Sequence, residues 1–472
     1  MITLRPYQQK FVGDLRSAFA AGAKRVLGVS PTGSGKSACM AHIARCSLEK
    51  GLRTTVIAHR AEIIKQLSDA LRKEGVDHGI IRSGVQMRAH MPVQVASVQT
   101  LVKRMSILPK PDMLMVDESH RIMANTYLEV LSAYSHAKVL GVTATPERLD
   151  GKGLGDVFNA MVRGPEVQWL IDNGFLARPI YYAPKTVDAS GVSMRAGDYA
   201  KNELASLMDK PSIIGDSVAH YRKYADGKTA IAFCVNLKHA RDTADAFNQN
   251  GIKAEVIDGT MDDGERAGIV ERVRRGATSV LVSCELVGEG FDAPAVGAAI
   301  LLRHTASLGL HLQCVGRALR AKPDGSGAVI LDHVGNCCRH GLAEEQRDWS
   351  LEGSSAKRRK REVEIETRRC EECYAVYTGV TCPQCGVVRE SKQREIEIRE
   401  GELQQLEAQK LMEHRQQIIE NAKCRSFQDY QALAKRRGYK PGWAYHRWKM
   451  SKWNTRRKSG VTVETNETVG LI

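Results

Sequence analysis

The chain of 472 residues reads as an α/β protein with two tandem domains, each built on a parallel sheet, followed by a small cysteine-bearing and helical C-terminal extension. Three observations predict this. Short, apolar, β-rich runs alternate with helical patterns from Arg25 to about Gly164. A second series of the same kind begins near Thr229. After about Arg347 the composition becomes charged and cysteine-bearing. Near-continuous apolar strands separated by helices belong to parallel sheets covered on both faces.

The first domain is expected over 1–164, with strands at Val26–Val29, Thr54–Ala58, Val93–Ala96, Met113–Val116 and Val139–Val142. Residues 165–210, polar and containing Gly and Pro, suit a linker that lets the domains move. The second domain is expected over 211–345, with strands at Ala230–Phe233, Ala254–Ile257, Ser279–Val282, Ala298–Leu302 and Ala328–Leu331. Residues 346–368 hold the basic block Lys357-Arg358-Arg359-Lys360-Arg361 and read as a solvated tether. A cysteine cluster occupies 369–390. Residues 391–425, rich in Glu, Gln, Lys and Arg with Leu and no Pro after Ser391, read as an exposed charged helix. A basic aromatic module spans 426–460, and 461–472 reads as an unstructured tail.

Composition narrows the function classes. The net charge of +15 and pI near 9.3 favour a polyanionic partner. No apolar run approaches the roughly 18 residues needed to cross a bilayer, and the first residues lack the apolar core of a signal peptide. A cytoplasmic location, bacterial or host and associated with the nucleoid, is therefore expected, with no membrane partner. Of the 12 cysteines, eight lie scattered in apolar or loop contexts and read as reduced thiols.

Ser30-Pro31-Thr32-Gly33-Ser34-Gly35-Lys36-Ser37 follows an apolar strand and precedes a helical segment. Gly33 and Gly35 free the backbone to turn its N–H groups inward at a helix N-terminus, forming a nest for phosphates. Lys36 is placed to reach the β- and γ-phosphates of a nucleoside triphosphate, and the Ser37 hydroxyl to ligate Mg²⁺. The strict phosphate-loop pattern begins with Gly where this chain has Ser30; the phosphate-contacting atoms are unaffected. Asp117 and Glu118 close the strand Met113–Val116, and carboxylates at a parallel strand's C-terminal end face the ligand crevice. Asp117 is the expected Mg²⁺ ligand and Glu118 the group that orients and deprotonates the attacking water. Together these point to ATP hydrolysis.

Asp117-Glu118-Ser119-His120 resembles motif II of the superfamily-2 helicases, the DEAD/DEAH group, and further signatures follow in family order. Leu4-Arg5-Pro6-Tyr7-Gln8-Gln9 resembles the adenine-reading segment, implying Arg5 and Gln8 as base contacts. Ala58-His59-Arg60 with Glu62 resembles motif Ia, and Ser97-Val98-Gln99-Thr100 motif Ib. Thr143-Ala144-Thr145-Pro146 matches motif III and Phe233-Cys234-Val235-Asn236 fits motif IV. Glu289-Gly290-Phe291-Asp292-Ala293-Pro294 resembles motif V, and Gln313-Cys314-Val315-Gly316-Arg317-Ala318-Leu319-Arg320 matches motif VI. The set covers residues 1 to about 340. Its Arg-Pro-Tyr-Gln opening and Glu-Gly-Phe-Asp-Ala-Pro string look most like RadD-type, phage UvsW-like and type III restriction-translocase-like helicases.

The resemblance implies two RecA-like lobes. It implies Gly290 and Asp292 as further nucleotide contacts, together with Pro31, Thr32, Ser34 and their neighbours in the phosphate loop. Arg317 and Arg320, at i and i+3 on one helix face, are implied as arginine fingers reaching across the interlobe cleft, with Gln313 near the γ-phosphate. Thr143 and Thr145 are implied to couple the ATP site to the nucleic-acid groove. His59, Arg60, Gln99, Thr100 and Asn236 are implied contacts to the phosphate backbone, which would bind without regard to sequence.

Cys370-x₂-Cys373-x₈-Cys382-x₂-Cys385 has zinc-site spacing, and RadD-type proteins also carry a cysteine-rich region after the second lobe. A structural Zn²⁺ ribbon is expected, a redox or vestigial pair being the alternative. Around Trp443, Tyr445 and Trp448 cations alternate with aromatics; these rings can stack on unpaired bases or form a small hydrophobic core, and the two readings are compatible. The expected function is an ATP- and Mg²⁺-dependent helicase or translocase on single-stranded, forked or branched DNA, in repair, recombination or phage replication. Partners could include single-stranded-DNA-binding or replication and repair proteins. An RNA helicase, or a DNA-binding accessory protein using ATP as a switch, are the alternatives.

Overall fold

Apolar runs become strands where the sequence places them, and short edge strands join them. In the computed structural model the described residues are 1–148, 151–183, 192–195, 198–200, 203–204, 211–284, 296–322, 324–353, 367–379, 381–388, 424, 426–437, 442–445 and 448. Contacts divide the chain into Met1–Glu390 and Ser391–Ile472.

The first sheet contains β1 (Arg25–Val29), β2 (Thr54–Ala58), β3 (Gly79–Ile81), β4 (Val93–Ser97), β5 (Met113–Asp117), β6 (Lys138–Thr143) and β7 (Ala160–Arg163), in the order β3-β4-β2-β5-β6-β1-β7. All its pairings are parallel. Flanking helices α1 (Pro6–Ala20), α2 (Lys36–Leu48) and α3 (Ala61–Lys73) cover one face. In α3 the buried residues Ile63, Ile64, Leu67 and Leu71 recur at helical spacing, which sends one stripe into the core and leaves the charged side to water. Helix α4 (Val98–Arg104) and helix α5 (Asn125–Ala133) pack on the other face, over a separate cluster around Leu114, Val116, Leu154 and Phe158.

The second sheet runs through β11 (Ala230–Cys234), β12 (Ala254–Ile257), β13 (Val280–Cys284), β14 (Ala298–Leu301) and β15 (Ala328–Asp332). Its neighbours β12-β13-β11-β14-β15 are all parallel. Thus both expected lobes form as two parallel α/β layers of RecA-like design. The structure adds three strands to this sheet. β8 (Pro179–Tyr182), from within residues 165–210, pairs parallel to β15. β17 (Ala375–Thr378), from the cysteine cluster, pairs antiparallel to β8, and β16 (Thr367–Arg369) completes the edge. A two-stranded hairpin, β9 (Met194–Arg195) and β10 (Asp198–Tyr199), also comes from 165–210. Its Asp198 accepts from the Ala306 N–H at 2.7 Å and pairs with Arg303 at 3.2 Å, pinning the hairpin to the second domain.

In the C-terminal unit, the helix Phe427–Arg437 buries Tyr430 and Leu433. Phe427 lies 5.3 Å from Trp448, and Tyr430 6.4 Å from Trp443, between ring centroids. Here the aromatics pack on one another, as the small-core reading expects. The charged helix over 391–425, the basic block 357–361 and the tail 461–472 lie outside the described residues, Cys424 excepted.

Phe158 is almost fully buried beneath Gly141, where an added Cβ would meet the Phe158 ring at 2.3 Å. Phe158→Ala is expected to destabilise the first domain by about 3–5 kcal/mol, read as a fall in the urea midpoint of its unfolding. An unchanged midpoint would contradict the packing described.

Candidate nucleotide site at the interdomain cleft

Strand order brings the site together. β5, β6 and β1 are consecutive in the first sheet, and registers pair Asp117 with Val142 and Thr143 with Val29. The loop after β1, the carboxylate ending β5 and the hydroxyl ending β6 therefore share one C-terminal edge, the side where open α/β sheets bind ligands.

In the loop itself, Gly33 and Gly35 adopt φ of +85° and +84°, a region that side chains disfavour. A Cβ at Gly35 would lie 2.3 Å from Gln8 Nε2. Gln8 is braced from both sides: its Oε1 accepts from Arg5 N–H at 2.9 Å, and its Nε2 donates to the Ser34 carbonyl at 2.9 Å. The Tyr7 hydroxyl donates to the same carbonyl at 3.0 Å. Ser30, in place of the pattern's Gly, is buried and donates to Ser34 Oγ at 2.7 Å. Room for it comes from Gly164, where a Cβ would sit 2.8 Å from Ser30 Oγ. Lys36 Nζ lies 3.3 Å from the Pro31 carbonyl, within the loop, and Ser37 Oγ accepts from Gln66 Nε2 at 3.0 Å.

Burial, and then the neighbouring Glu118 charge, push the Asp117 carboxyl up to about 7. Lys36 and the Glu118 N–H, which donates to Asp117 Oδ1 at 3.0 Å, oppose that shift. Glu118 occupies the left-handed region at φ 51°, which costs a non-glycine residue about 1–2 kcal/mol. Strain of that kind persists where the surroundings hold a side chain in a required place. Its Oε2 lies 3.3 Å from His120 Nδ1, which lies 3.5 Å from Thr143 Oγ1. Thr143 Oγ1 donates to the Thr145 carbonyl at 2.9 Å. Motif II and motif III residues thus form one polar chain.

The second domain meets this edge directly. The helix Leu308–Ala318, α10 hereafter, runs against it with two glycines at the contact. A Cβ at Gly316 would lie 2.8 Å from Thr32 Cβ in the phosphate loop, and one at Gly309 would lie 2.9 Å from Thr145 Oγ1. Gln313 and Arg317 are buried on this helix, Arg317 beside Gly316. Arg320, expected to share a helix face with Arg317, instead lies past the helix, which ends at Ala318, and forms an antiparallel backbone bridge with Leu176. A Cβ at Gly33 would meet Leu176 Cδ2 at 2.8 Å, so this turn touches the phosphate loop and the arginine-bearing segment together. Its neighbour Phe175 packs 4.9 Å from Tyr7, with the Arg5 guanidinium 4.8 Å over the ring. Leu176, Phe175, Gly164 and Gln66 lie outside every sequence motif; scattered through a linker and a helix, they form no recurring pattern.

The expected nucleic-acid residues lie at other strand ends. His59-Arg60 and Gln99-Thr100 follow the paired residues Ala58 and Ser97 on adjacent strands. Arg60 Nε lies 3.3 Å from His59 Nε2, and Gln99 Oε1 accepts from Ser97 Oγ at 2.7 Å. The Asn236 side-chain oxygen Oδ1 caps the next helix, accepting from His239 N–H at 2.8 Å. Glu62 pairs across the domains with Arg266 at 2.6 Å. Gly290 and Asp292 lie outside the described residues. Among the described residues, no helix is long and apolar enough to cross a membrane.

Cys370, Cys373, Cys382 and Cys385 bring their sulfurs within 4.8 Å of one another. The Cys370–Cys385 and Cys373–Cys382 pairs stand at 3.5 and 3.6 Å. Gly386, at φ 72°, turns the second knuckle so that its N–H reaches the Cys382 carbonyl at 3.0 Å.

Residues 1–148 match the family described as type III restriction enzyme, res subunit, and residues 209–322 match the helicase conserved C-terminal domain. The 51.5 kDa protein of a Lactococcus phage (isolate 7-9) is 32% identical over 387 residues, 81% of this chain and 82% of its own length. A Saccharomyces cerevisiae protein provisionally named ATP-dependent helicase IRC3 is 28% identical over 358 residues, 70% of this chain and 51% of that protein. The fold is shared with a fragment of a provisionally assigned HsdR subunit of a type I restriction enzyme from Vibrio vulnificus YJ016. There the TM-score is 0.58 at 21% identity, over 73% of this chain and 68% of the other.

Gly35→Ala places a Cβ against Gln8 and forces the left-handed region on alanine. It is expected to lower stability by about 1–2 kcal/mol, measured as a drop in the thermal midpoint of the nucleotide-free protein. An unshifted midpoint would refute the Gln8 brace.

Proposed function

The chain belongs to the superfamily-2 helicases of type III restriction-like kind, which hydrolyse ATP, and on that premise we propose that it is a motor translocating on DNA, forked or branched, in repair, recombination or phage replication. The observation that carries this reading is the meeting of the Thr32 loop and the Gly316 helix face across the cleft. One domain presents Lys36, Asp117 and Glu118; the other presents Gln313, Arg317 and Arg320. A triphosphate between them is completed only when the domains close, so turnover and domain movement are one process.

Each group has a definite task in this scheme. The phosphate loop's inward N–H groups and Lys36 bind the β- and γ-phosphates. Ser37 and Asp117 offer hard oxygen donors at a strand end and a helix start, the donor type Mg²⁺ takes, so they would hold it. When bound, that ion neutralises phosphate charge. Glu118, held by its strained backbone beside His120, orients the attacking water and accepts its proton. The arginines stabilise the charge that builds on the γ-phosphate oxygens. Arg5 and Gln8 read the base, and Thr143 and Thr145 relay the nucleotide state toward His59, Arg60, Gln99 and Thr100. DNA is favoured by the match to a restriction-enzyme family, by the phage relative, and by the net charge of +15.

The four thiolates suit a structural zinc ion. Tetrahedral Zn–S bonds of about 2.3 Å place sulfurs about 3.8 Å apart, close to the 3.5 and 3.6 Å pairs seen. Four sulfur ligands leave no open position, so the ion would brace the ribbon.

Lys36→Ala is expected to abolish ATP hydrolysis while circular dichroism remains unchanged; retained turnover would refute the phosphate-loop role. Arg320→Ala should reduce kcat by about 10²-fold or more with ATP binding little altered, and equal loss of both would count against an arginine finger. Single-stranded or forked DNA should raise ATPase activity well above RNA; stimulation by RNA alone would reject a DNA motor. Metal analysis of reduced protein should find about one zinc per chain, and none would reject that site.

A further inference from the structure

After the second domain's core at Ala343 the chain lies against the first domain, and at Thr367 it is in the second domain's sheet. Leu342 and Ala343 belong to the second domain's core, where Ala343 N–H donates to the Tyr181 hydroxyl at 3.1 Å. Five residues on, the chain lies against the first domain. Trp349 and Leu351 pack on the cluster containing Leu154, Val157 and Phe158. Gly155 N–H donates to the Leu351 carbonyl at 2.8 Å, and Lys152 and Gly353 form an antiparallel bridge. Arg163 pairs with Asp348 at 3.0 Å and also donates to the Trp349 carbonyl. By Thr367 the chain is back in the second domain, where it enters the edge of that sheet.

The receiving surface is shaped for this segment. At Gly153 an added Cβ would lie 1.9 Å from the Leu351 carbonyl oxygen and 2.4 Å from Gly353 N. Both ends of the contact adjoin the nucleotide site. Arg163 precedes Gly164, whose N–H donates to the Val29 carbonyl at 2.7 Å immediately before the phosphate loop. Lys152 accepts through its carbonyl from Arg148 N–H at 2.9 Å, three residues after Thr145 of motif III.

We propose that residues 346–353 form a strap that holds the two domains in their closed arrangement, so that opening of the cleft requires the strap to peel from the first domain. Backbone bonds, an ion pair and two apolar side chains all cross the cleft in this segment. Severing them leaves the contacts of Gly316 with Thr32, Gly309 with Thr145, Leu176 with Gly33 and Glu62 with Arg266 among the ties that still join the domains near the site. With the strap docked, nucleotide meets a site already near completion. With it released, part of the binding energy must close the domains. The inference rests on the reading that closure completes the ATP site.

The test uses the full chain with donor and acceptor dyes at positions 50 and 249, exposed sites on the two domains. Gly153→Val and, separately, Leu351→Asp are compared with wild type and with Gly13→Ala, a helix position with open space around it. Hydrogen exchange at the Gly155 amide reports strap docking. Wild type and Gly13→Ala should keep high transfer efficiency and a protected Gly155 without nucleotide. Both strap variants should lose both, and recover efficiency with a non-hydrolysable ATP analogue plus DNA. Their KM for ATP should rise about tenfold, as when the competent population falls by that factor, with kcat changed less than about twofold. Unchanged transfer and KM with a deprotected Gly155 would overturn the strap, and so would a Gly155 that stays protected in both variants. Failure of the ATP-site reading shows separately, as turnover surviving Lys36→Ala.

Discussion

The contact between the phosphate loop and α10 is the constraint on which the rest depends. It exists because Gly316 has no side chain: any Cβ there would collide with Thr32. A backbone-to-loop approach of this kind places Arg317 one residue from the loop without requiring a long, mobile side chain to span the cleft. Gly309 does the same against Thr145, so one helix touches both the phosphate loop and motif III. The two contacts lie two helical turns apart, which fixes the orientation of the helix as well as its distance.

The loop on the other side of that contact is held from behind. Gln8 and Tyr7 both donate to the Ser34 carbonyl, and Gln8 also caps its own helix through Arg5. The base-reading segment therefore shapes the phosphate nest before any nucleotide arrives. Leu176 adds a third support, and through its bridge to Arg320 it belongs equally to the second domain. A shift at any of these points is felt at the others, because close-packed groups move as units.

Parallel sheets explain why so few residues suffice. Their strands end together, so chemistry-bearing residues from distant parts of the chain gather on one edge. The same edge buries its carboxylates side by side, and burial followed by the neighbouring Glu118 charge pushes the Asp117 carboxyl up to about 7. The second sheet shows a different economy of design: the cysteine ribbon extends it through β17 on β8, so the ribbon is continuous with the second domain.

The sequence by itself determined the two α/β lobes, the ten central strands, the phosphate loop with its acidic strand end, the arginine-bearing helix and the four-thiol cluster. Each is a local pattern: an apolar run, a glycine spacing or a cysteine spacing, dictated by short-range geometry. Only the tertiary structure decided that Gly164 makes room for Ser30, that Leu176 joins the phosphate loop to Arg320, that β8 and β17 complete the second sheet, and that Trp349 and Leu351 return to the first domain. These depend on residues far apart in the chain meeting at one point. No periodicity records such a meeting, because burial and close approach are settled by the packed whole and not by any one segment.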